Sequence, residues 1–458
     1  MVEKYDDSLV IFTGAGISKP VGIPDMYEFV PAFVSKIEKE LPDRKSLLDD
    51  LINNELVDLE ELLKRLSTMS DLLKDETYVR LMKPATTEKE VLSGIQLLKE
   101  KLLDFVYEKC SAFDEKIADE ICGKILGLKD SFLFDRLKIF TTNYDICTES
   151  VCEKQNHAVT TGFKTRGTFS IWDRTAFKDP SYVIHIYKLH GSITWFKYGD
   201  KIVQMPPIER RLATLQGEKL EVQMLYPLTG KEVFKPPFHE LSYILQKTLE
   251  SCFICIVIGY SFRDEAMNSI FSNAKKENKN LKILLIDPNA EKISARLDFK
   301  IEIIPEAIEN LDLKEDFSDI LQGRSAKLTE LAFSLRDEEA FDESIHIGKK
   351  ALELANSMGD FELAGRSATC VSDCFNHKDD AENSKNYARK AIEAYDKVEE
   401  KDGLVFFNSA VCHNRLGDLG EVIKYYKKAE EECSKEGRKD LAEEARARIE
   451  RLGKLLEK

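Results

Sequence analysis

Several short motifs of glycine or polar residues stand directly after apolar runs that are typical of buried strands. The first is GAGIS at 14–18, followed by GIPD at 22–25. A glycine turn at the end of a strand lets backbone N–H groups approach a diphosphate. The turn is not a P-loop, because no Gly-Lys-Ser/Thr follows, and Lys19 takes the place of the third glycine of the dinucleotide fingerprint. By spacing alone, a plain strand, turn and helix explains this segment equally well.

Two further motifs supply side chains that can hold a hydroxyl group or move a proton. Asn143, in TTNYD at 141–145, offers both a donor and an acceptor, although Asn at such a junction is most often a helix N-cap. His190, in KLHGS at 188–192, is a candidate general base, since an ordinary histidine pKa of about 6.5 leaves the ring mostly neutral in a cytoplasm. An ordinary polar loop histidine is the alternative that the residues alone favour.

The remaining motifs, GYSFRD at 259–264 and DPN at 287–289, also follow apolar runs. Asp287 stands where acidic residues bind the ribose diol in nucleotide folds. Each motif alone is explained as well by a helix cap. Together, all five would lie at the carboxyl edge of one parallel sheet. Independent caps could produce this pattern, but a nucleotide crevice explains the motifs together.

The elements that must position these motifs alternate between strand-like and helix-like patterns. The segment 45–130 is rich in Leu, Lys, Glu and Asp at helical spacing, which predicts a helical insertion. Strands that alternate with helices predict a doubly wound parallel α/β sheet over 1–310, covered on both faces. The strand-like runs are 9–12, 137–142, 182–189, 253–258, 281–286 and 300–304, and the helical runs include 25–40, 264–276 and 290–297.

After residue 311 the strand-like pattern stops and a repeating helical pattern begins. The segments GKKALELA (348–355), ARKAIEAY (388–395) and YKKAEEEC (426–433) recur at intervals of 40 and 38 residues. The last unit resembles a tetratricopeptide repeat, although the usual period is about 34 residues. The sequence predicts a linker over 311–325 and an all-α tetratricopeptide-like solenoid over 326–458. Its concave face would bind a protein or peptide, or else mediate self-association.

The composition favours a folded protein of the cytoplasm. The 458 residues include 67 basic and 82 acidic side chains, a net charge of −15, which argues against a broad nucleic-acid footprint. The longest apolar run, 252–258, is far shorter than the roughly 20 residues of a membrane span, and the acidic N-terminus predicts no signal peptide. The ten cysteines are scattered, which favours reduced thiols and no bound metal.

Taken together, these motifs resemble the sirtuin family. The resemblance implies a doubly wound fold that binds NAD, with His190 as the base that faces the nicotinamide ribose. Asn143 and Asp145 would line the nicotinamide pocket, and Asp25 would bind the nicotinamide carboxamide. The resemblance further implies that Ala15, Gly16 and Ser18 contact the phosphates, and that Gly259, Ser261 and Asp287 hold the diphosphate and the adenosine end. The matching segments are 14–18, 22–25, 142–145, 190–191, 259–261 and Asp287, in an order that spans 9–304 apart from the insertion.

The sequence departs from sirtuin deacylases where those enzymes build their acyl-peptide groove. They hold a structural zinc with two cysteine pairs between the His-Gly and Gly-x-Ser motifs, whereas 191–251 contains no cysteine here. Met26 and Tyr27 replace the usual Phe-Arg, and Thr142 and Tyr144 replace Gln and Ile. The GYSFRD motif instead resembles the sirtuin-like domains of prokaryotic defence proteins, which hydrolyse NAD while a partner domain senses infection.

The resemblance therefore predicts an NAD glycohydrolase, in which water splits the nicotinamide–ribose bond to give nicotinamide and ADP-ribose. The leaving group is a neutral pyridine and needs no general acid, unlike a glycosidic oxygen. Asn143 would position the water and the ribose, and His190 would take or share a proton from a ribose hydroxyl. The expected role is an NAD-depleting antiviral effector, held off at rest by the repeats or by oligomerisation.

The partners expected on this basis are NAD, a protein trigger or partner subunit at the repeats, and further copies of the chain. No metal, membrane or direct nucleic-acid contact is expected. Two other functions stay open. One is an NAD-dependent protein deacylase without a zinc module, and the other is a non-catalytic sensor of NAD or ADP-ribose that acts through the repeats.

Overall fold

The chain divides into two compact units. The first comprises 1–130 and 134–311, and the second comprises 131–133 and 312–458. Within the part of the chain that is described, no helix is both long enough and apolar enough to cross a membrane. The computed structural model describes residues 8–53, 57–74, 88–167, 169–206, 214–215, 218–224, 236–312 and 315–456.

All of the described strands lie in the first unit, and its described residues also form nine helices and three short 3₁₀ turns at 15–17, 174–178 and 308–310. The strands are β1 (Ser8–Thr13), β2 (Arg136–Thr141), β3 (Val159–Thr160), β4 (Phe163–Arg166), β5 (Phe169–Trp172), β6 (Ile184–Lys188), β7 (Gly191–Tyr198), β8 (Lys201–Gln204), β9 (Thr214–Leu215), β10 (Glu218–Lys219), β11 (Glu221–Met224), β12 (Ile254–Ile258), β13 (Lys282–Ile286) and β14 (Glu302–Ile304). The helices are α1 (Met26–Glu40), α2 (Pro42–Ile52), α3 (Leu59–Lys74), α4 (Glu88–Ser111), α5 (Glu115–Ser131), α6 (Cys147–Lys154), α7 (Phe238–Ser251), α8 (Glu265–Glu277) and α9 (Ala290–Ser294).

Seven of the described strands form one parallel sheet in the order β14-β13-β12-β1-β2-β6-β3. The strand order reverses direction at β1, which pairs with β2 on one side and with β12 on the other. Such a reversal is the point of a doubly wound sheet where ligands bind, outside the carboxyl ends of the strands. The predicted fold class, a doubly wound parallel α/β sheet followed by helices, is confirmed.

The central strands β1 and β12 are mostly apolar because neither face of the sheet meets solvent there. Every residue of β1 (SLVIFT) and of β12 (ICIVI) is buried. Phe12 packs against Tyr260 and against Phe271 of α8, so one face of the sheet is joined to its covering helix by aromatic contacts. This rigid centre fixes the positions of the loops that leave β1 and β12.

The described part of the predicted insertion over 45–130 is helical except for short connections at 53, 57–58 and 112–114. It contains α3, α4, most of α2 and nearly all of α5, while 54–56 and 75–87 lie outside the described residues. Helix α3 packs on α4 and also contacts α1. Its first turn includes Glu60, which lines the cleft described below.

A second sheet follows the main one and was not anticipated from sequence patterns. Its five described strands are antiparallel in the order β11-β7-β8-β5-β4. Strand β7 begins at Gly191, directly after His190, and a small core of Phe196, Val203 and Leu220 holds the sheet together. This sheet therefore anchors one side of the loop that carries His190.

The second unit is a run of helices in which each helix packs on the next. Asp360, Asp380, Asp402 and Asp418 each cap the helix that follows, with the side chain accepting a backbone N–H of the first turn. The first helix of the run begins at Ser318, inside the segment predicted as a linker. The arrangement is consistent with a helical solenoid. The helices are α10 (Ser318–Asp337), α11 (Phe341–Met358), α12 (Phe361–His377), α13 (Ala381–Asp396), α14 (Gly403–Leu416), α15 (Leu419–Lys435) and α16 (Lys439–Leu456).

Candidate functional site

A cleft of about 590 Å³ opens at the carboxyl ends of the parallel strands. Its walls come from the loops after β1, β2, β6, β12 and β13, which carry the five sequence motifs. The volume is in the range of small-molecule and cofactor sites, roughly 300–1,000 Å³. All of the residues expected to bind a nucleotide or to act on it line this one cleft, namely Ala15, Gly16, Ser18, Asp25, Asn143, Asp145, His190, Gly259, Ser261 and Asp287.

The floor of the cleft is built where the loops after β1 and β12 touch through glycines. A Cβ at Gly14 would lie 2.7 Å from the carbonyl oxygen of Gly259, and a Cβ at Gly259 would lie 2.6 Å from the amide nitrogen of Ile17. Gly259 also has φ of +61°, a conformation that glycine adopts without strain. The amide of Gly16 donates to the Gly259 carbonyl at 2.9 Å. The glycines therefore serve the close contact of two loops, and the Gly16 amide is already engaged there.

Asn143 is tied into a chain of hydrogen bonds that joins two loops. Its Nδ2 donates to the Gly14 carbonyl at 3.0 Å and to Oγ of Ser18 at 2.9 Å. Ser18 in turn donates from Oγ to Oδ2 of Asp145 at 2.7 Å. Because Nδ2 faces a carbonyl oxygen, the amide can have only one orientation. Its Oδ1 is therefore the remaining acceptor of the side chain.

The buried side chain of Lys188 supports this network of hydrogen bonds. Lys188 is 1% exposed, and its Nζ donates to the backbone carbonyl of Asp145 and lies 2.9 Å from Oε1 of Glu149. A buried ammonium needs such partners to offset the loss of hydration. Lys188 thus fixes the loop that carries Asn143 and Asp145 from below.

His190 lies between two carboxylates that come from different elements. Its Nε2 is 3.2 Å from Oδ2 of Asp264, and its Nδ1 is 3.5 Å from Oε1 of Glu60. Asp264 is the N-cap of α8, where its Oδ1 accepts the backbone N–H groups of Ala266 and Met267. Its second oxygen faces the imidazole. Glu60 comes from α3 and accepts the hydroxyl of Tyr144 at 3.2 Å.

These neighbours decide the charge of the imidazole. Burial opposes the charged form, but the contacts with Asp264 and Glu60 outweigh it and raise the pKa of His190 to about 9. Although burial raises the pKa of Asp264, the contact with His190 outweighs this and gives a net lowering. His190 is therefore an imidazolium at neutral pH in this arrangement. The expectation of a mostly neutral ring, taken from the ordinary histidine pKa, is wrong here because it ignored two facing carboxylates.

Other predicted residues hold structural contacts while they line the cleft. Asp25 caps α1 by accepting the N–H groups of Tyr27 and Glu28, and its Oδ2 accepts Lys19 Nζ at 3.0 Å. Asp287 accepts the N–H of Asn289 at 2.7 Å, in the turn before α9. Both carboxylates thus support the backbone, and Asp25 is a helix cap. The backbone bonds use only one oxygen of each carboxylate, so they do not remove either residue from the cleft wall.

The structure adds residues that sequence reasoning did not select. Glu60 and Asp264 flank His190, and Tyr260 lines the cleft with a buried hydroxyl that has no hydrogen-bond partner among the described residues. The guanidinium of Arg263 lies 4.8 Å from the ring centre of Tyr27, and both line the cleft. The position of Asp264 after the GYSF turn could have identified it from the sequence. No such signal marks Glu60, since it is one acid among many in an amphipathic helix.

Within the described ranges, no group of three or more His, Cys, Asp or Glu side chains is placed to hold a metal ion. The thiols of Cys110 and Cys147 are protonated. Burial is the main reason that the pKa of Cys110, in the cleft wall, and of Cys147 behind it lie far above the ordinary thiol value.

The fold and the cleft define an α/β protein of the doubly wound class with a site at the topological switch point. Within it, residues 137–304 match the family model of the SIR2-like domain. That segment includes Asn143, His190, Ser261 and Asp287, whereas the GAGIS and GIPD motifs precede it.

Comparison with solved structures gives a weak likeness. A mutant Sir2 homologue in complex with 2'-O-acetyl ADP-ribose and a Sir2 homologue in complex with NAD are each 13% identical to this chain, with a TM-score of 0.36. Each alignment covers 69% of this chain, and 93% and 90% of the two relatives respectively. Values this low carry no argument about the site. No protein of curated function matches the sequence.

Proposed function

We propose that the first unit is an NAD glycohydrolase, which splits the nicotinamide–ribose bond with water. The observation that carries the proposal is the convergence of Asn143 and His190 on one cleft, with the glycine turn of β1 on its floor. The match of 137–304 to the SIR2-like domain supports NAD as the ligand of that cleft.

The cleft offers groups suited to a dinucleotide. The loops after β1 and β12 line the cleft with backbone at Gly16 and Gly259, where the space of the missing side chains is taken up by the contact between the two loops. Arg263 lines the same cleft and can neutralise phosphate charge, whereas the ammonium of Lys19 is paired with Asp25 and Glu28. The unpartnered hydroxyl of Tyr260 is a donor or acceptor that a bound ligand would satisfy.

Asn143 would hold the nucleophile. Its Nδ2 is fixed by Gly14 and Ser18, which leaves Oδ1 to accept a hydrogen bond from a water or a ribose hydroxyl. A side chain held in place before the reaction contributes most to catalysis, since it needs no reorganisation in the transition state. The network through Ser18 and Asp145 supplies this fixation.

The bond that breaks joins C1' of the ribose to the pyridinium nitrogen, which keeps the electron pair and leaves as neutral nicotinamide. Positive charge then develops on the ribose. The oxygen of a water molecule bonds to C1', and that water loses a proton. His190 in its neutral form would take a proton from the ribose or the water. Carboxylates in the cleft wall, among them Asp264 and Asp145, favour the developing positive charge.

The segment between the His-Gly and Gly-x-Ser motifs separates hydrolysis from deacylation. In this chain, residues 191–251 contain no cysteine, and their described part forms β7, β8, β9, β10, β11 and α7. Cys252 and Cys255 follow, just before the Gly-x-Ser motif, and Cys255 lies in β12. The segment between the two motifs therefore offers one cysteine pair at most, and not the two pairs that build the zinc module of the resembled deacylases. This supports water rather than an acyl oxygen as the nucleophile.

We place the activity in prokaryotic antiviral defence, in a cytoplasm, with NAD depletion as its outcome. The helical run of the second unit would act as tetratricopeptide-like repeats that bind a protein trigger or another copy of the chain. This assignment rests on the sequence resemblance of the GYSFRD motif and of the repeats.

The test is incubation of the purified full chain with NAD, with and without an acetyl-lysine peptide, followed by separation of the products. Hydrolysis predicts equal amounts of nicotinamide and ADP-ribose without peptide. Nicotinamide release that requires the peptide would select the deacylase. Saturable NAD binding with no product in either arm would select the sensor.

A further inference from the structure

Of the two carboxylates of the helical insertion that line the cleft, Asp58 and Glu60, Glu60 is the one that lies beside His190. Glu60 stands in the first turn of α3, and its side chain is 17% exposed. Its Oε1 lies 3.5 Å from Nδ1 of His190 and accepts the hydroxyl of Tyr144 at 3.2 Å. The insertion therefore contacts both the proposed base and the loop of Asn143.

The two carboxylates beside His190 are held differently. Asp264 is fixed by the backbone of α8 and lies 3.2 Å from Nε2. The Glu60 contact is longer, and among the described residues no hydrogen bond of normal geometry reaches Nδ1. Asp264 is thus the closer and more firmly held of the two carboxylates, and Glu60 is the more distant one.

We propose that Glu60 is a positioning residue of the helical insertion, which occupies the Nδ1 side of His190 and keeps the imidazole charged until substrate takes its place. The proposal rests on the proposed hydrolase function. Glu60 thereby sets the pH at which His190 becomes a base, and movement of α3 away from the cleft would raise activity at neutral pH.

The surroundings of His190 leave Glu60 as the variable charge. The charged or titratable groups that face the imidazole are Asp264 from α8 and Glu60 from α3. The ring centres of Tyr144 and His190 are 6.5 Å apart. The hydroxyl of Tyr260 interacts electrostatically with both carboxylates. Burial, followed by Asp264 and Glu60, raises the pKa of Tyr260 well above its ordinary value, so this hydroxyl stays neutral. Of the two carboxylates, only Asp264 is also a helix cap, so a substitution at Glu60 changes the charge beside His190 without touching a capping residue.

The experiment compares Glu60→Gln with the matched control Glu61→Gln. Glu61 is on the same helix but pairs with Lys64 and Arg65, at 3.1 and 3.0 Å. Histidine-selective isotope labelling of the full chain lets NMR follow the imidazoles of its seven histidines as the pH changes, and His190→Gln assigns the resonance. We expect the pKa of His190 to fall by about one unit or more in Glu60→Gln and to stay at the wild-type value in Glu61→Gln.

Two further readouts separate positioning from a merely structural role. The pH profile of kcat/KM for nicotinamide release should move to lower pH by the same amount in Glu60→Gln, since it reports the free enzyme. Glu60→Asp keeps the charge but withdraws it by one methylene, and we expect an intermediate pKa for His190. This second variant also serves if Glu60→Gln does not fold.

An unchanged His190 pKa in folded Glu60→Gln or Glu60→Asp would overturn the proposal, whatever the activity. The titration needs no substrate, so its outcome is separate from that of the proposed function. A lowered pKa with no NAD cleavage in any variant would leave the charge control standing and reject the hydrolase.

Discussion

Asn143 connects two loops of the cleft and offers one remaining acceptor. We expect Asn143→Ala to lower nicotinamide release by roughly 100-fold or more, the usual loss for a fixed polar group that acts in the transition state. The measurement is the initial rate of nicotinamide formation by chromatography. Circular dichroism and the thermal midpoint check that the variant is folded.

Asn278 provides a matched control for this substitution. Its Nδ2 also donates to two backbone carbonyls, those of Leu249 and Cys252, but it does not line the cleft. Asn278→Ala should lower stability and leave the rate per folded molecule unchanged. Equal rates for Asn143→Ala and Asn278→Ala would show that Asn143 is only structural.

His190 links the stability of the fold to pH. Its pKa is about 9 in the folded protein and near 6.5 in an unfolded chain, so the folded state binds the proton more tightly. The resulting stabilisation, up to about 3 kcal/mol, is complete below pH 6.5 and disappears as the pH rises through 9. Urea midpoints measured from pH 6 to 9.5 should fall in the wild type more than in His190→Gln. If the urea midpoints of the two proteins changed equally with pH, the ion pairs of His190 would not stabilise the fold.

At the scale of elements, the contact between the loops after β1 and β12 shapes the floor of the cleft. In Gly259→Ala the new Cβ would have to push Ile17 away, and alanine would also be strained at φ of +61°. We expect a loss of more than about 2 kcal/mol and weaker NAD binding, measured by urea unfolding and by calorimetric titration.

Substitution of Gly199 is a control that distinguishes the steric clash of a new Cβ from the backbone strain at positive φ. It has φ of +60°, but a Cβ added there would meet no atom within 4 Å, and it lies in the turn between β7 and β8. Gly199→Ala should cost only the conformational strain, about 1 kcal/mol. If the two alanine variants were equally stable, the close approach of the loops would not matter.

The parallel sheet was predictable because its central strands are mostly buried apolar runs, each followed by a glycine or a polar residue. The runs 137–142, 253–258 and 281–286 each became a strand of this sheet. The antiparallel sheet was missed. Its strands β4 and β8 are short and rich in Lys, Arg and Gln, and their pairing depends on distant partners that no local pattern reveals.

The site divides in the same way. Residues at the ends of strands could be predicted, because parallel strands bring their carboxyl ends to one edge. The charge of the His190 side chain could not be predicted. His190 is kept protonated by its contacts with Glu60, 130 positions earlier in the chain, and with Asp264. No sequence motif reveals either pairing. The glycines at 14, 16 and 259 have the pattern of a phosphate turn, while the structure shows that they also pack on one another.

At the scale of the whole molecule, two units with different architectures share one chain. All of the proposed chemistry lies in the first unit, and the helical run of the second offers a surface of the kind that repeat proteins use for binding. An enzyme that consumes NAD without restraint would harm its own cell. We therefore expect control by assembly or by a trigger.

The most direct measurement is the rate of nicotinamide and ADP-ribose formation from NAD, without peptide, by the full chain over a wide range of protein concentrations. We predict stoichiometric release of both products by the wild type, with a specific rate that rises with concentration, and almost none from Asn143→Ala. Absence of product from the wild type at every concentration, or equal release by Asn143→Ala, would contradict the proposal that this cleft hydrolyses NAD.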